Sequence, residues 1–162
     1  MTAIEPQFFP ASGFVPNNPR VGLRLYRATG IRDAKGFIGL FERHGWGGAW
    51  INGIYDFQHY HATAHEVLGI ARGAADVQLG GPSGPVMRLE TGDAVMIPAG
   101  VGHCLIAARS GLSVVGAYPE GQEQYDLKRA SEHEFQLALS QIPVVPLPLC
   151  DPVTGAPFSG SV

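Results

Sequence analysis

The sequence predicts a single all-β domain, and three observations support this fold class. Glycine and proline make up 35 of the 162 residues (22 and 13), a content typical of short strands joined by tight turns. Only 15% of the residues are charged and 45% are hydrophobic, which excludes a long coiled coil and a disordered chain. Short apolar runs also recur at regular spacing in the middle of the chain, as they do in sandwiches and barrels.

Residues 1–48 are predicted to form an N-terminal arm and a short helix that pack on the β-structure. Proline and asparagine are frequent in residues 1–20, which indicates an extended arm, and residues 21–28 alternate weakly, like a first strand. Asp33 is a suitable N-cap for a helix that ends at Gly45. One face of this helix carries four residues at spacing i, i+3, i+4 and i+7: Phe37, Leu40, Phe41 and His44.

Residues 49–118 are predicted to contain the core of the domain. Turn-forming residues divide this region into short apolar runs, among them Gly73, the segment 80–85 and the pair Ser110 and Gly111. The runs have the length of strands rather than helices. The seven predicted strands lie near residues 49–61, 66–72, 74–79, 86–90, 94–98, 102–108 and 112–118.

Residues 119–162 are predicted to add a C-terminal helix and a proline-rich tail to the same domain. Ser131 and Glu134 have the spacing of a capping box, which marks the start of the helix. The tail from Pro143 onwards keeps many apolar residues, whereas a solvated tail would be more polar. We therefore expect the tail to lie on the domain or on a neighbouring subunit.

Three histidines and a glutamate have the spacing of metal ligands. His59 and His61 are two residues apart, so in a strand both side chains project from one face and can converge on one ion. Glu66 follows after a short connection and can complete a set of two histidines and one carboxylate. His103 follows a turn at residues 98–100 and is the fourth predicted ligand.

Three neutral imidazoles and one carboxylate suit a divalent first-row ion, without distinguishing iron, manganese, nickel and zinc. Four protein ligands leave two positions of a six-coordinate ion for water or substrate. The net positive charge of such a centre favours a small anionic or enolisable molecule. Three functions stay open: a metal-dependent enzyme of the oxygenase or isomerase type, a non-catalytic module that binds or senses a small molecule, and a scaffold with a vestigial cavity.

The two stretches around these residues resemble the two sequence motifs of the cupin superfamily. Residues 53–73 contain G-x5-H-x-H-x4-E-x6-G, and residues 92–103 contain G-x5-P-x-G-x2-H. One departure is Ala107, at a position where the second motif often has asparagine. The segments HYHATAHEVLG, AYPEGQEQYDL and VPLPLCDPVTG further resemble a small bacterial cupin family typified by the Bacillus protein YjlB.

The resemblance implies the fold, the assembly and no particular reaction. The implied fold is an all-β double-stranded β-helix, the jelly roll of the cupins, with short N-terminal and C-terminal helices. A homodimer is also implied, because cupin sandwiches often pair through exposed sheets and terminal arms.

Three further histidines and a cysteine are expected outside the ligand set. His65 alternates with Glu66, so we expect it on the opposite side of the strand as a surface or packing residue; the alternative is a substitute ligand or a partner that orients one. Cys104 should point away from the cavity as a small buried residue. His44 and His133 lie in the predicted helices and are expected to be solvated.

Several aromatic residues and one arginine are candidates for the lining of the cavity. Tyr55 and Phe57 share the strand parity of His59 and are expected to face inward, either as packing or as ligand contacts. An inward Arg72 would bind an anionic substrate, although most arginines at strand ends are solvated. Trp46 and Trp50 are expected near the mouth of the cavity or at a subunit contact.

The charge pattern does not favour nucleic acid or membrane partners. The net charge is -3, and the 11 lysines and arginines form no basic run. The start of the chain has no secretory pattern, and prolines interrupt the longest uncharged stretch, at residues 135–150. With Cys104 and Cys150 as its two cysteines, the chain is expected to be cytoplasmic, although a bridge between them is not excluded by sequence.

Overall fold

The computed structural model of the protein describes residues 2–3 and 5–159. Two α-helices lie in this part of the chain, α1 (Ala34–Arg43) and α2 (Glu132–Gln141), and a 3-10 turn (Ile142–Val144) follows the second. The strands of the described residues are β1 (Thr2–Ala3), β2 (Arg24–Arg27), β3 (Trp46–Asn52), β4 (His59–Tyr60), β5 (Glu66–Leu79), β6 (Val86–Glu90), β7 (Ala94–Ile97), β8 (His103–Pro119) and β9 (Lys128–Arg129).

The strands form an antiparallel jelly roll, which confirms the predicted fold class. Their main order is β1-β2-β7-β5-β8-β4-β9, with β3 added to β8 and β6 added to β5. The long strands β5 and β8 pair with each other over nearly their whole lengths, from Val67 with Ala117 to Leu79 with His103. Because the remaining strands pair around these two, β5 and β8 form the centre of the fold.

The lengths of β5 and β8 differ from the prediction, which placed breaks at Gly73 and at Ser110–Gly111. Both strands continue through these residues as bulges, since the register shifts on both sides of Arg72, and Gly73, Ser110 and Gly111 have positive φ. A Cβ atom on Gly73 would lie 2.3 Å from the carbonyl oxygen of Arg109. The glycines therefore bend a continuous pair of strands, where the sequence pattern suggested turns.

The predicted strand over residues 49–61 is also wrong in extent. β3 ends at Asn52, and the chain then leaves the ladder until β4 begins at His59. A hydrogen bond from the Leu105 amide to the Tyr55 carbonyl (2.9 Å) is the backbone bond that holds this intervening segment to β8. The strand predicted over residues 21–28 is likewise shorter in the structure, where β2 covers Arg24–Arg27.

The core lies on both faces of the central strands. Val67 of β5 packs with Phe37 and Phe41 of α1, whereas the next residue, Leu68, faces the interior of the jelly roll with Val95. Successive residues of a strand point to opposite faces, so a strand covered on both sides is apolar without alternation. The side that carries Leu68 also carries Glu66, and this parity places the carboxylate inside the jelly roll.

Both helix caps follow the prediction. The Asp33 carboxylate accepts a hydrogen bond from the Gly36 amide (2.7 Å), and the Ser131 hydroxyl accepts one from the Glu134 amide (3.3 Å). His44 differs from the prediction, because it caps the end of α1 half-buried, with Nδ1 2.8 Å from the carbonyl oxygen of Pro152. None of the helices in the described chain is long and apolar enough to cross a membrane.

The N-terminal arm is tied to the turns near the predicted metal ligands. The Asn17 amide group donates to the carbonyls of Pro10 (2.8 Å) and Gly80 (3.0 Å) and accepts from the Gly102 amide (3.1 Å). Asn18 donates to the Ala99 carbonyl (3.0 Å). Because these asparagines are buried and fully engaged, the arm is part of the domain.

The C-terminal tail lies on its own domain through a buried aspartate. Asp151 accepts hydrogen bonds from the Tyr26 hydroxyl, from Arg24 (3.0 Å) and from the amides of Val153 and Thr154 (both 2.9 Å). Burial alone would raise the pKa of Asp151, but these donors hold it below its ordinary value. Through these contacts the tail packs against β2 of the same chain.

Replacing Asp151 with asparagine is expected to lower the free energy of unfolding by about 2 kcal/mol at pH 7, since the half-buried Arg24 loses its charged partner. The folded-state pKa of the carboxyl is depressed, so its contribution is present above the unfolded pKa of about 4 and is lost as the pH falls below that value. Urea unfolding of both proteins at pH 7 and pH 3 measures this. A difference that stays constant between the two pH values would contradict the depressed pKa.

Candidate metal centre

Strand pairing brings the predicted ligands to one end of the jelly roll. β4 pairs with β8 so that His59 lies opposite His103. Glu66 begins β5, and the main-chain carbonyl of His61 accepts a 2.7 Å hydrogen bond from the Gly100 amide in the turn before β8. All four predicted side chains are buried, with exposed fractions of 7% or less.

Three of the four predicted ligands form a compact cluster. Glu66 Oε1 lies 3.4 Å from His61 Nε2 and 3.3 Å from His103 Nε2, and one ligand atom of each residue lies within 4.8 Å of the others. His59 borders this cluster, with its ring centroid 4.0 Å from that of His103 and 6.2 Å from that of His61. The structure therefore places His59 beside the cluster of His61, Glu66 and His103.

Main-chain carbonyls determine which nitrogen of each histidine faces the cluster. Nδ1 of each ring contacts a carbonyl oxygen: His59 that of Phe57 (2.8 Å), His103 that of Val101 (3.1 Å) and His61 that of Asp126. A carbonyl oxygen accepts and never donates, so Nδ1 must carry the proton. In the neutral rings Nε2 then has a free lone pair, which is the form that binds a metal.

With neutral rings, the cluster therefore consists of hydrogen-bond acceptors that face one another. When both rings are neutral, the lone pairs of His61 Nε2 and His103 Nε2 face an oxygen of the Glu66 carboxylate, and none of the three atoms then has a proton to offer. Buried acceptors at this separation repel one another unless a cation lies among them. Two imidazoles and a carboxylate are ligands that divalent first-row metals accept. The residues present therefore fit a metal ion.

The second oxygen of Glu66 is held by a tyrosine that the sequence analysis did not single out. The Tyr118 hydroxyl donates to Glu66 Oε2 (2.7 Å) and accepts from Trp50 Nε1 (2.7 Å). This bond leaves Oε1 facing the two histidines. Burial and the neighbouring carboxylate raise the pKa of Tyr118 above its ordinary value, so the hydroxyl keeps its proton and remains a donor.

The electrostatics of the site favour a cation. Burial alone would raise the pKa of Glu66, but His61 and His103 hold it well below its ordinary value. Burial alone would lower the pKa of His61, but the Glu66 carboxylate raises it. Burial and the charge of His103 lower the pKa of His59 to about 3, which keeps that ring neutral near pH 7. An ionised buried carboxylate attracts positive charge, which either a proton on a neighbouring imidazole or a metal ion can supply.

The loop between β8 and β9 completes the surroundings of His61. The Asp126 carbonyl contacts His61 Nδ1, and the Asp126 carboxylate accepts from the amides of Ala62 (2.8 Å) and Thr63 (3.0 Å). Tyr125 meets the His61 ring edge-on, with the centroids 5.2 Å apart. No local pattern points to these residues, although the segment AYPEGQEQYDL that carried the family resemblance contains Tyr118, Tyr125 and Asp126.

His65 is buried and orients the turn before His103. Its Nδ1 accepts a hydrogen bond from the Ala99 amide (2.9 Å), and its own main-chain amide donates to Gln122 (2.9 Å). Burial lowers the pKa of His65 to about 4. Of the roles considered, the structure supports a packing residue that also positions the ligand-bearing turn.

The cluster lies in a cavity of about 300 Å³ that opens to the surface. Tyr55 lines it, as predicted, whereas Phe57 packs behind Tyr55 with the ring centroids 4.9 Å apart. Trp50 lines it too, in agreement with the expectation for that residue. All thirteen lining residues are Trp50, Asn52, Gly53, Ile54, Tyr55, His59, His61, Glu66, Leu68, His103, Tyr118, Tyr125 and Leu127.

The other candidates lie away from the cavity. Arg72 is exposed and donates to the Gly111 carbonyl (2.8 Å), so it cannot bind a substrate inside. Trp46 is buried in the core and donates to the Cys150 carbonyl (2.9 Å), so its predicted place at the mouth is wrong. Cys104 is buried, as expected, and both cysteines are free thiols.

The jelly roll and its buried histidine and glutamate cluster are those of a cupin, and the model of the cupin domain family matches residues 52–115. A protein of Bacillus subtilis (strain 168) with the name Uncharacterized protein YjlB is 40% identical over 148 residues, which cover 91% of this chain and 88% of that protein. The chain therefore belongs to the YjlB-like family of cupins.

Solved structures show similarity over about half of the chain. An acireductone dioxygenase from Bacillus anthracis, with a cadmium ion in its active center, superposes with a TM-score of 0.39 at 19% identity, covering 54% of this chain and 59% of that one. The WlaRB TDP-quinovose 3,4-ketoisomerase of Campylobacter jejuni superposes with a TM-score of 0.42 at 16% identity, covering 54% and 72%. This chain spans less than two thirds of the dioxygenase.

Proposed function

We propose that the chain binds one divalent metal ion (iron, manganese, nickel or zinc) through His59, His61, Glu66 and His103. We propose further that it is a metal-dependent enzyme, of the oxygenase or isomerase type, acting on a small anionic or enolisable molecule. The observation that supports this is the convergence of His61 Nε2, His103 Nε2 and a Glu66 carboxylate oxygen within 4.8 Å of one another, with Nδ1 of each ring turned to a main-chain carbonyl. His59 is included because its Nε2 is free and its ring borders that of His103.

The residues around the site supply orientation and a restricted space. Three main-chain carbonyls hold the histidine rings, and Tyr118 holds one oxygen of Glu66 so that the other is directed at the cluster. A bound ion would supply Lewis-acid activation of a ligand in the cavity. The largely apolar lining lowers the local dielectric constant, which strengthens the interaction between a charged ligand group and the site.

A specific observation favours a second candidate, a non-catalytic module that binds or senses a small molecule. Among the described lining residues, Glu66 is the one carboxylate, and there is no lysine or cysteine. Apart from the predicted ligands, the titratable groups that face the cavity are the hydroxyls of Tyr55, Tyr118 and Tyr125. An enzyme that moves protons with a separate acid or base would have to use one of these.

Metal loading followed by turnover assays tests both candidates. The protein, stripped with a chelator and reloaded with each of the four metals, is expected to retain about one ion per chain by elemental analysis. Loaded protein is then given a panel of keto acids, diols and phenols under air and under argon, with mass spectrometry of the products. Failure to retain any metal would overturn the metal-dependent enzyme. Retained metal and bound panel members without any product would favour the binding module.

The assembly and the location belong to the same proposal. We expect a homodimer, for which light scattering should give about twice the 17.2 kDa of one chain, while a 17.2 kDa species would contradict it. The two free thiols support a location in the reducing cytoplasm, since disulfides form in oxidising compartments.

A further inference from the structure

The two ends of the cavity differ in chemistry. The inner end carries His61, Glu66 and His103. The remaining lining is mainly aromatic and aliphatic, and among the described lining residues there is neither lysine nor arginine. A ligand that fills the cavity therefore meets its charged partner at the inner end alone.

Tyr125 presents a ring of fixed orientation to the cavity. It stacks on Tyr118 with the ring centroids 4.0 Å apart and the planes at 17°, and Tyr118 is itself fixed by hydrogen bonds to Glu66 and Trp50. The Tyr125 side chain remains 40% exposed. It thus offers aromatic surface that the protein does not cover, close to the cluster.

Tyr55 presents a second such ring. It stacks on Phe57 with the centroids 4.9 Å apart, meets His59 edge-on at 5.3 Å and is 54% exposed. The nearest arginine in this stack is Arg129, whose guanidinium lies 3.8 Å over the Phe57 ring and does not line the cavity. The Arg129 guanidinium therefore stabilises the aromatic stack through a cation–π contact and does not face a ligand in the cavity.

A ligand that covers the exposed aromatic rings beside the cavity would gain binding free energy. A flat ring between or against them would bury apolar surface and stack, and one stacked pair changes affinity by up to about tenfold. A charged group at the far end of the ligand would lose part of its hydration against these rings and would meet no lysine or arginine among the lining residues. The cavity of about 300 Å³ lies at the small end of ligand pockets, which suits one ring with its substituents.

We propose that the ligand is a flat, ring-containing molecule with a metal-binding group at one end and no charge at the other, and that Tyr55 and Tyr125 determine this preference. The proposal rests on the proposed function, because the polar end of the ligand is bound by the metal.

A matched pair of hydroxamates tests the preference without knowledge of the natural ligand. Benzohydroxamate and acetohydroxamate carry the same metal-binding group, and they differ in the ring. Titration calorimetry of the zinc-loaded protein is expected to show benzohydroxamate binding at least about tenfold more tightly. A third ligand, 4-carboxybenzohydroxamate, adds a charge at the far end and is expected to bind at least about tenfold more weakly than benzohydroxamate.

Variants assign the preference to the two tyrosines. Tyr55→Ala and Tyr125→Ala should each reduce the affinity ratio of benzohydroxamate to acetohydroxamate several-fold, with acetohydroxamate affinity and zinc content kept. Phe8→Ala is the control, since Phe8 is a 42% exposed aromatic residue outside the cavity, and its ratio should stay that of the wild type.

The outcomes separate this inference from the proposed function. Equal affinity for the two hydroxamates, or tyrosine variants that weaken both hydroxamates alike, would overturn the ring preference and leave the metal site intact. Tight binding of the carboxylated ligand would overturn the requirement for an uncharged far end. If zinc is not retained, or neither hydroxamate binds, the metal site itself is wrong and the inference falls with it.

Discussion

Replacing His103 with alanine is expected to lower the affinity for metal by more than about 100-fold, because removing a partner that merely orients a ligand already costs 10–100-fold. His103 Nε2 is one of the three acceptor atoms of the cluster, 3.3 Å from Glu66 Oε1. The same loss is expected for His61→Ala. Metal content after dialysis, with competition against a chromogenic chelator, measures both variants.

Two further histidine variants make this experiment specific. His133→Ala is the matched control, since His133 is exposed on α2, and its metal affinity should equal that of the wild type. His59→Ala separates a four-ligand site from a three-ligand site, because His59 borders the cluster without belonging to its compact part. A loss as large as that of His103→Ala is expected for a fourth ligand. Stoichiometric metal in both His61→Ala and His103→Ala would show that the ligand assignment is wrong.

Replacing Gly73 with alanine is expected to lower the free energy of unfolding by about 2–4 kcal/mol. Gly73 has φ +76°, a conformation that costs other residues about 1–3 kcal/mol. A Cβ atom there would also lie 2.3 Å from the Arg109 carbonyl oxygen and 2.9 Å from the Leu112 amide nitrogen, and both belong to the backbone of β8. The two central strands would have to separate at their shared bend. Urea unfolding with a two-state fit measures the change.

Gly53→Ala is the matched control for Gly73→Ala. The two glycines begin and end the same sequence motif, yet a Cβ atom on Gly53 would have no neighbouring atom within 4 Å. Its substitution should change the free energy of unfolding by less than about 0.5 kcal/mol. Equal effects of the two substitutions would contradict the role assigned to the bend at Gly73.

The all-β class and the candidate ligands were predictable from short-range patterns, whereas the jelly roll was implied by the resemblance to the cupin motifs. Turn residues at regular spacing predicted the strands, and the spacing of His59, His61 and Glu66 predicted a convergence that depends on the parity of residues along a strand. His103 was predictable because the turn at residues 98–100 reverses the chain before it. In the structure, the Gly100 amide of this turn donates to the His61 carbonyl.

The bulges of the central strands and the partners of the ligands depend on tertiary contacts, which a single sequence does not reveal. Gly73 has the same local pattern in a turn and in a bulge, and the pairing of β5 with β8 decides between them. Tyr118 lies 52 residues from Glu66 along the chain, and its hydrogen bond follows from the register of these strands. Asp126 reaches His61 through a loop of irregular backbone, for which periodicity predicts nothing.

The three carbonyl contacts of the histidine rings have a consequence for how the family can diversify. The proton position of each imidazole is set by the path of the main chain at residues 57, 101 and 126, so it is inherited with the fold. The contacts use main-chain atoms, so they do not themselves require particular side chains at residues 57 and 101. A lineage can therefore exchange the outer walls of the cavity while Nδ1 of each ring keeps its proton.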